Sequence, residues 1–91
     1  MELQFTKKDN LWVATAEVIG DYNVRLECMK SGLVIIKQST VEGREGKVVA
    51  SGSFGEDGLY EQDYVNAVYP KYVTIECNAQ PKKGYITEKQ Q

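Results

Sequence analysis

Histidine is missing from this 91-residue sequence, and that absence removes more chemistry than any residue present adds. Ser-His-Asp and Cys-His nucleophile systems need the imidazole, as do most catalytic metal centres. Only two cysteines occur, Cys28 and Cys77, with no Cys-x-x-Cys spacing, so an ordinary closed zinc site is ruled out. Each sits in an apolar alternation and reads as a small buried hydrophobe in reduced form; the competing readings are a disulfide and a reactive thiol. Phosphate-cradling loops are lacking too, because Gly43-Arg44-Glu45-Gly46-Lys47 has neither the span nor the following Ser or Thr. No apolar run approaches the roughly 20 residues of a membrane-crossing helix. Nor is there a basic excess: 11 Lys and Arg stand against 13 Asp and Glu, for a net charge of −2. The basic residues are scattered, with only Lys7-Lys8 and Lys82-Lys83 adjacent, so the concentrated phosphate-neutralising face of a nucleic-acid binder is not expected. The opening MELQFTKKDN lacks the apolar core of a signal peptide, and the expected localisation is cytoplasmic as synthesised.

Periodicity supplies the fold class. Residues 21–40 organise the chain: Tyr22, Val24, Leu26 and Cys28 alternate with Asn23, Arg25, Glu27 and Met29, the pattern of a strand with one buried face. Lys30-Ser31-Gly32 brings turn chemistry, and residues 33–39 resume as a β-branched strand, so the stretch reads as a β-hairpin. Leu33-Val34-Ile35-Ile36 is the one run of four large aliphatics and predicts a central strand covered on both faces, with Ile35 and Ile36 buried. Residues 2–8 alternate up to the turn signal Asp9-Asn10. Residues 11–19 alternate again, with Trp12, Ala14, Ala16 and Val18 on one side; β-branched neighbours favour strand over helix there. These four segments read as an antiparallel meander.

The second half is more broken. Residues 41–46 read as an exposed connection and 47–51 as a short strand. Residues 52–58, carrying Gly52, Gly55 and Gly58, read as a long mobile loop. Residues 60–69 suit a strand, with a helical turn over 61–68 as the alternative. Pro70 makes Tyr69 extended and removes a ladder donor, which places the segment at a sheet edge or at a crossing between sheets. Within 71–78, Val73, Ile75 and Cys77 face inward, while Tyr72, Thr74, Glu76 and Asn78 face outward. Residues 79–83 read as a turn and 84–88 as a last strand. Seven or eight short strands in one 91-residue domain, without a convincing helix, give an all-β fold. It is expected to be an antiparallel β-sandwich, with a small β-barrel as the alternative. A chain of this size buries roughly 60 to 70% of its unfolded surface, enough for a core without staples.

Two groups of residues invite a chemical reading. Glu56, Asp57, Glu61 and Asp63 are close in sequence and offer carboxylates for acid–base work, but a charged loop is ordinarily solvated and their spacing fails the EF-hand alternation. No catalysis, cofactor or metal is expected. The six tyrosines and one tryptophan are the other group, with Tyr64 and Tyr72 on outward phases, where they make a platform for sugar rings or a protein partner. The plainer reading is that tyrosines simply pack half-buried strand positions.

Residues 63–77, DYVNAVYPKYVTIEC, taken with Gly20-Asp21-Tyr22-Asn23-Val24 and the Gly-turned hairpin, resemble small β-sandwich proteins encoded among the virion and tail genes of bacterial prophages. The resemblance implies a structural or assembly role with protein partners, self-association included, and a virion-associated destination; it supplies no site residue. The expectation is therefore a non-enzymatic structural or protein-interaction module, with a carbohydrate-binding module using exposed tyrosines as the alternative. The working surface is expected at Tyr69, Pro70, Lys71 and Tyr72, where a proline-interrupted edge leaves backbone and aromatic groups open to a partner.

Overall fold

Alternating apolar and polar residues put most of the chain into strands in the computed structural model, which describes residues 1–67 and 71–89, and of Tyr64 only the backbone. The strands are β1 (Thr6–Lys8), β2 (Leu11–Val18), β3 (Tyr22–Cys28), β4 (Leu33–Ser39), β5 (Lys47–Ser53), β6 (Leu59–Val65), β7 (Lys71–Cys77) and β8 (Pro81–Glu88). They form a five-stranded antiparallel sheet, β1-β2-β7-β4-β5, and a three-stranded one, β6-β3-β8. The sheets do not join into a closed barrel, so the sandwich expectation holds over its alternative. The thin axis of the molecule is 19 Å, as two face-packed sheets require once each carries outer side chains.

Connectivity departs from the meander. Only β1–β2 and β4–β5 are hairpins, and every other link between consecutive strands carries the chain to the opposite sheet. The expected β3–β4 hairpin is instead an arch: β3 lies between β6 and β8, and β4 between β7 and β5. Long-range pairing decides this, since Cys28 is opposite Pro81 while Val34 is opposite Cys77. The Gly32 carbonyl accepts from Phe54 N–H at 3.0 Å, and Leu33 N–H donates to Asn78 Oδ1 at 2.8 Å. The same Lys-Ser-Gly link therefore spans the sandwich rather than closing a turn.

The core is a single cluster fed by both sheets, including Ala14, Val18, Tyr22, Val24, Leu26, Val34, Ile36, Val73, Ile75 and Ile86. The inward phases read for β3 and β7 are the observed ones. For β4 the double-sided burial does not hold: Ile36 is fully buried, Ile35 is half-buried, and Leu33 is 59% exposed. The strand is interior to its sheet, but no third layer covers the sheet's outer face. Cys28 and Cys77 are both buried, and Cys28 Sγ lies 3.1 Å from the Gln80 carbonyl oxygen. A tether crosses the layers where Gln38 of β4 donates to the Tyr22 hydroxyl of β3 at 2.7 Å.

The glycine-rich segment also differs from its reading as a long loop. Gly52 and Ser53 belong to β5, and Phe54 is buried at 5% exposure. The remainder closes as a tight turn, with Gly55 N–H to the Leu59 carbonyl at 2.9 Å and Leu59 N–H to Asp57 Oδ1 at 3.0 Å. Gly58 has φ +78°, and a Cβ there would run into the Cys28 carbonyl oxygen, so its glycine is required by both conformation and space. Residues 79–83 are not wholly a turn either, because Pro81 already begins β8.

The sheet edges are managed unequally. The open side of β8 is lined by the first residues of the chain, through the Glu2–Tyr85 bridge and the Leu3 N–H to Gly84 carbonyl bond of 2.7 Å. At β5 the register slips so that Val49 is an extra residue between the Lys37–Val48 and Ile36–Ala50 pairs, a bulge that twists the edge away from further pairing.

Candidate functional site

The outer face of the five-stranded sheet carries a concavity, and strand register explains its floor. Residues directly opposite one another across β2, β7 and β4 form rows: Val13, Glu76 and Ile35; then Thr15, Thr74 and Lys37; then Glu17, Tyr72 and Ser39. All stand on the face away from the core, because their neighbours Ala14, Val18, Val73, Ile75, Val34 and Ile36 point inward and are buried. A bare sheet face is flat. Here it becomes a groove because two turns rise beside it.

One wall is the β4–β5 connection, from which Glu42, Gly43, Arg44, Glu45 and Gly46 line the groove. Its shape is locally set. Ser39 Oγ accepts from Val41 N–H at 3.1 Å, and Arg44 N–H reaches the Val41 carbonyl at 3.3 Å. A Cβ at Gly46 would collide with the Gln38 backbone, so the wall lies this close to β4 only with glycine there. The other wall is the β1–β2 turn, where Lys8, Asp9 and Leu11 contribute. The groove, open along its outer side, holds about 730 Å³, inside the roughly 300–1,000 Å³ range of small-molecule sites.

Electrostatics on the floor centre on Lys37. Its ammonium is 3.0 Å from Glu76 Oε1 and 3.2 Å from Glu45 Oε1, and so links the floor to the first wall. The lysine side chain is only 16% exposed. Hydrogen bonds to Glu76 and then Glu45 raise its pKa above the ordinary lysine value, and the cation is held in place. Across the whole lining, five carboxylates (Asp9, Glu17, Glu42, Glu45, Glu76) outnumber three cations (Lys8, Lys37, Arg44). Among the described residues no group of three or more acids and thiols is placed to hold a metal ion, and no helix is long and apolar enough to cross a membrane.

Of the four residues expected to form a working edge, Tyr69 and Pro70 lie outside the described residues. Lys71 and Tyr72 begin β7, which is not an edge: Tyr72 is opposite Glu17 on one side and Ser39 on the other, and Lys71 is opposite Val18. The chain changes sheet between β6 and β7. Tyr72 itself is half-buried and lines the groove, on the outward face that alternation predicts but in the middle of a sheet and not at an edge. Elsewhere tyrosines serve packing: Tyr22 and Tyr60 are buried in the core. The carboxylate group proves dispersed, with Asp57 accepting from its own turn and Glu61 lying 3.8 Å from Arg25. Thr15, Glu17, Lys37, Thr74 and Glu76 were not recognised as a site. Their outward phases were visible in the alternation, but the pairing that assembles them joins segments far apart in sequence. Comparison with family models, with curated proteins and with solved structures finds no match to this chain.

Proposed function

We propose that this chain is a non-enzymatic interaction module whose working surface is the walled outer face of the five-stranded sheet. The observation that carries the reading is the groove itself: a trough with charged and hydroxyl side chains and a half-buried aromatic at its floor, built on β7 and β4, which are paired on both sides, and on β2, which β7 holds along its length. Glu76, the most central carboxylate of the floor rows, is committed to Lys37, and the sequence offers no histidine to act beside Glu17.

Replacing Thr15 and Thr74 together by isoleucine fills the trough and removes its hydroxyls while keeping β-branched residues on the strands. On glycan and peptide arrays, whatever the native protein binds should be lost in this double variant and kept in Met29→Ser, which changes an exposed side chain outside the groove. Binding that survives the filled trough would remove this face as the working surface.

A structural role in assembly, as the prophage resemblance implies, is the second reading. What favours it is the exposure of apolar side chains along the β4–β5 hairpin, Leu33 at one end and Val48 and Val49 toward the other. Light scattering should then give a mass that is a multiple of the 10.2 kDa chain; a single-chain mass at all concentrations would reject it.

A further inference from the structure

The chemistry of the groove selects among ligands, and we infer that its ligand is a short neutral saccharide, seated with a pyranose face on Tyr72 and its hydroxyls between Glu17, Thr15 and Thr74. The inference rests on the groove being the working surface and adds the ligand class. Three observations narrow it.

The first excludes a peptide strand. A peptide bound in extended form draws its affinity from main-chain hydrogen bonds to an open sheet edge. The floor here is the face of β2, β7 and β4, whose main-chain groups point within the sheet to ladder partners and not up into the trough. Among the described residues β2 lacks a second partner at residues 14–18, but that edge lies beside the floor, not on it. A peptide backbone laid in the trough would leave its own N–H and C=O groups to be satisfied by scattered side chains alone, which is unfavourable for buried amides.

The second excludes anions. Five carboxylates against three cations make the lining net negative, and Lys37, the one cation on the floor, is already shared between Glu76 and Glu45. A phosphate or uronate would enter against that field without a free cation at the floor to meet it.

The third is positive. Polyhydroxylated rings need groups that accept and donate at short spacing, together with one amphipathic surface for their C–H face. Threonine hydroxyls do both, carboxylates accept from vicinal hydroxyls, and a tyrosine ring supplies apolar area with a polar tip. Opposed pairs in antiparallel strands put such side chains about 5 Å apart. Thr15 and Thr74 are directly opposite, as are Glu17 and Tyr72. These pairs adjoin along the strands, so the four residues make a compact patch matched in scale to one sugar ring.

Titration calorimetry on the intact chain with neutral gluco-, galacto- and N-acetylglucosamine-configured di- and trisaccharides tests the inference, with the corresponding uronates and an array-selected peptide alongside. At least one neutral series should bind. Its uronate should bind more weakly, Tyr72→Ala should lose roughly tenfold in affinity, and Tyr72→Phe should retain it within about threefold. Glu17→Ala alters an exposed residue without disturbing the core and should also weaken binding, which keeps the test decisive if Tyr72→Ala misfolds. A uronate binding better than its neutral parent, or affinity unaffected by both Tyr72→Ala and Glu17→Ala, would overturn the inference. A peptide that binds in a Thr15- and Thr74-dependent manner while every neutral saccharide fails would also overturn it, yet leave the groove as the working surface.

Discussion

Truncating Ile36 to alanine is expected to destabilise the protein by about 2–5 kcal/mol, against about 5–15 kcal/mol for the whole of a domain of this kind. Ile36 is fully buried at the middle of β4, with Ile75 opposite on one side and Ala50 on the other. No neighbouring strand can close the space, because each is held in register by its own ladder, so the cavity term adds to the lost transfer energy. The neighbouring Ile35→Ala should be far milder, below about 1.5 kcal/mol, since its side chain is half-buried on the outer face and leaves no enclosed void. Urea denaturation of both variants, with an unchanged dependence on denaturant, checks the contrast. Equal losses would mean that the outer face of β4 is covered in solution, and would point directly to association through it.

Alkaline pH should unfold the protein by a route that two buried groups define. Burial, opposed in part by the Gln38 hydrogen bond, pushes the Tyr22 hydroxyl up to about 12 from an ordinary 10.0. Burial, with the Cys28 thiol nearby, pushes Cys77 up to about 12 from 9.0. In both cases the folded state holds its proton longer than the unfolded chain. The stabilisation is therefore fully present below the unfolded values and is lost as pH rises through the folded ones. Lys37 works in the same sense, its raised pKa coming from Glu76 and Glu45. At roughly 1.4 kcal/mol per unit, Tyr22 accounts for about 3 kcal/mol and Cys77 for about 4 kcal/mol by the end of the window. Stability measured by urea should thus be level from about pH 7 to 8.5 and fall steeply toward pH 12. Tyr22→Phe should remove one proton from the linkage and flatten the fall. A curve level to about pH 12 would mean that these groups are not sequestered as described.

The local half of this fold was legible and the non-local half was not. Alternation gave the inward residues of β3 and β7 because side-chain phase is a property of a few consecutive residues. It also gave the outward phase of Tyr72. Pairing depends instead on which strands meet, and Lys30-Ser31-Gly32 is as competent to arch between sheets as to turn within one. The aliphatic run in β4 misled for a related reason: Leu33 and Ile35 extend the run but face outward, Leu33 bonded through its N–H to Asn78 just past β7 and Ile35 opposite Glu76 of β7. Glycine density suggested a long loop at residues 52–58, whereas Gly52 and Ser53 belong to β5, Phe54 is buried and the Asp57 side chain closes a tight turn. The groove was invisible at the sequence level because its floor joins β2 to β7 and its wall depends on Gly46 approaching β4.

If the walled outer face is the binding surface, amide chemical-shift mapping will show it most directly. Uniformly labelled protein titrated with the saccharide that binds in calorimetry should show perturbations concentrated at Thr15, Glu17, Tyr72 and Thr74 and along residues 42–46. The three-stranded sheet on the opposite side, at Val24, Leu26 and Ile86, should stay unmoved. Perturbations on β3, β6 and β8 with residues 15, 17, 72 and 74 silent would contradict the account.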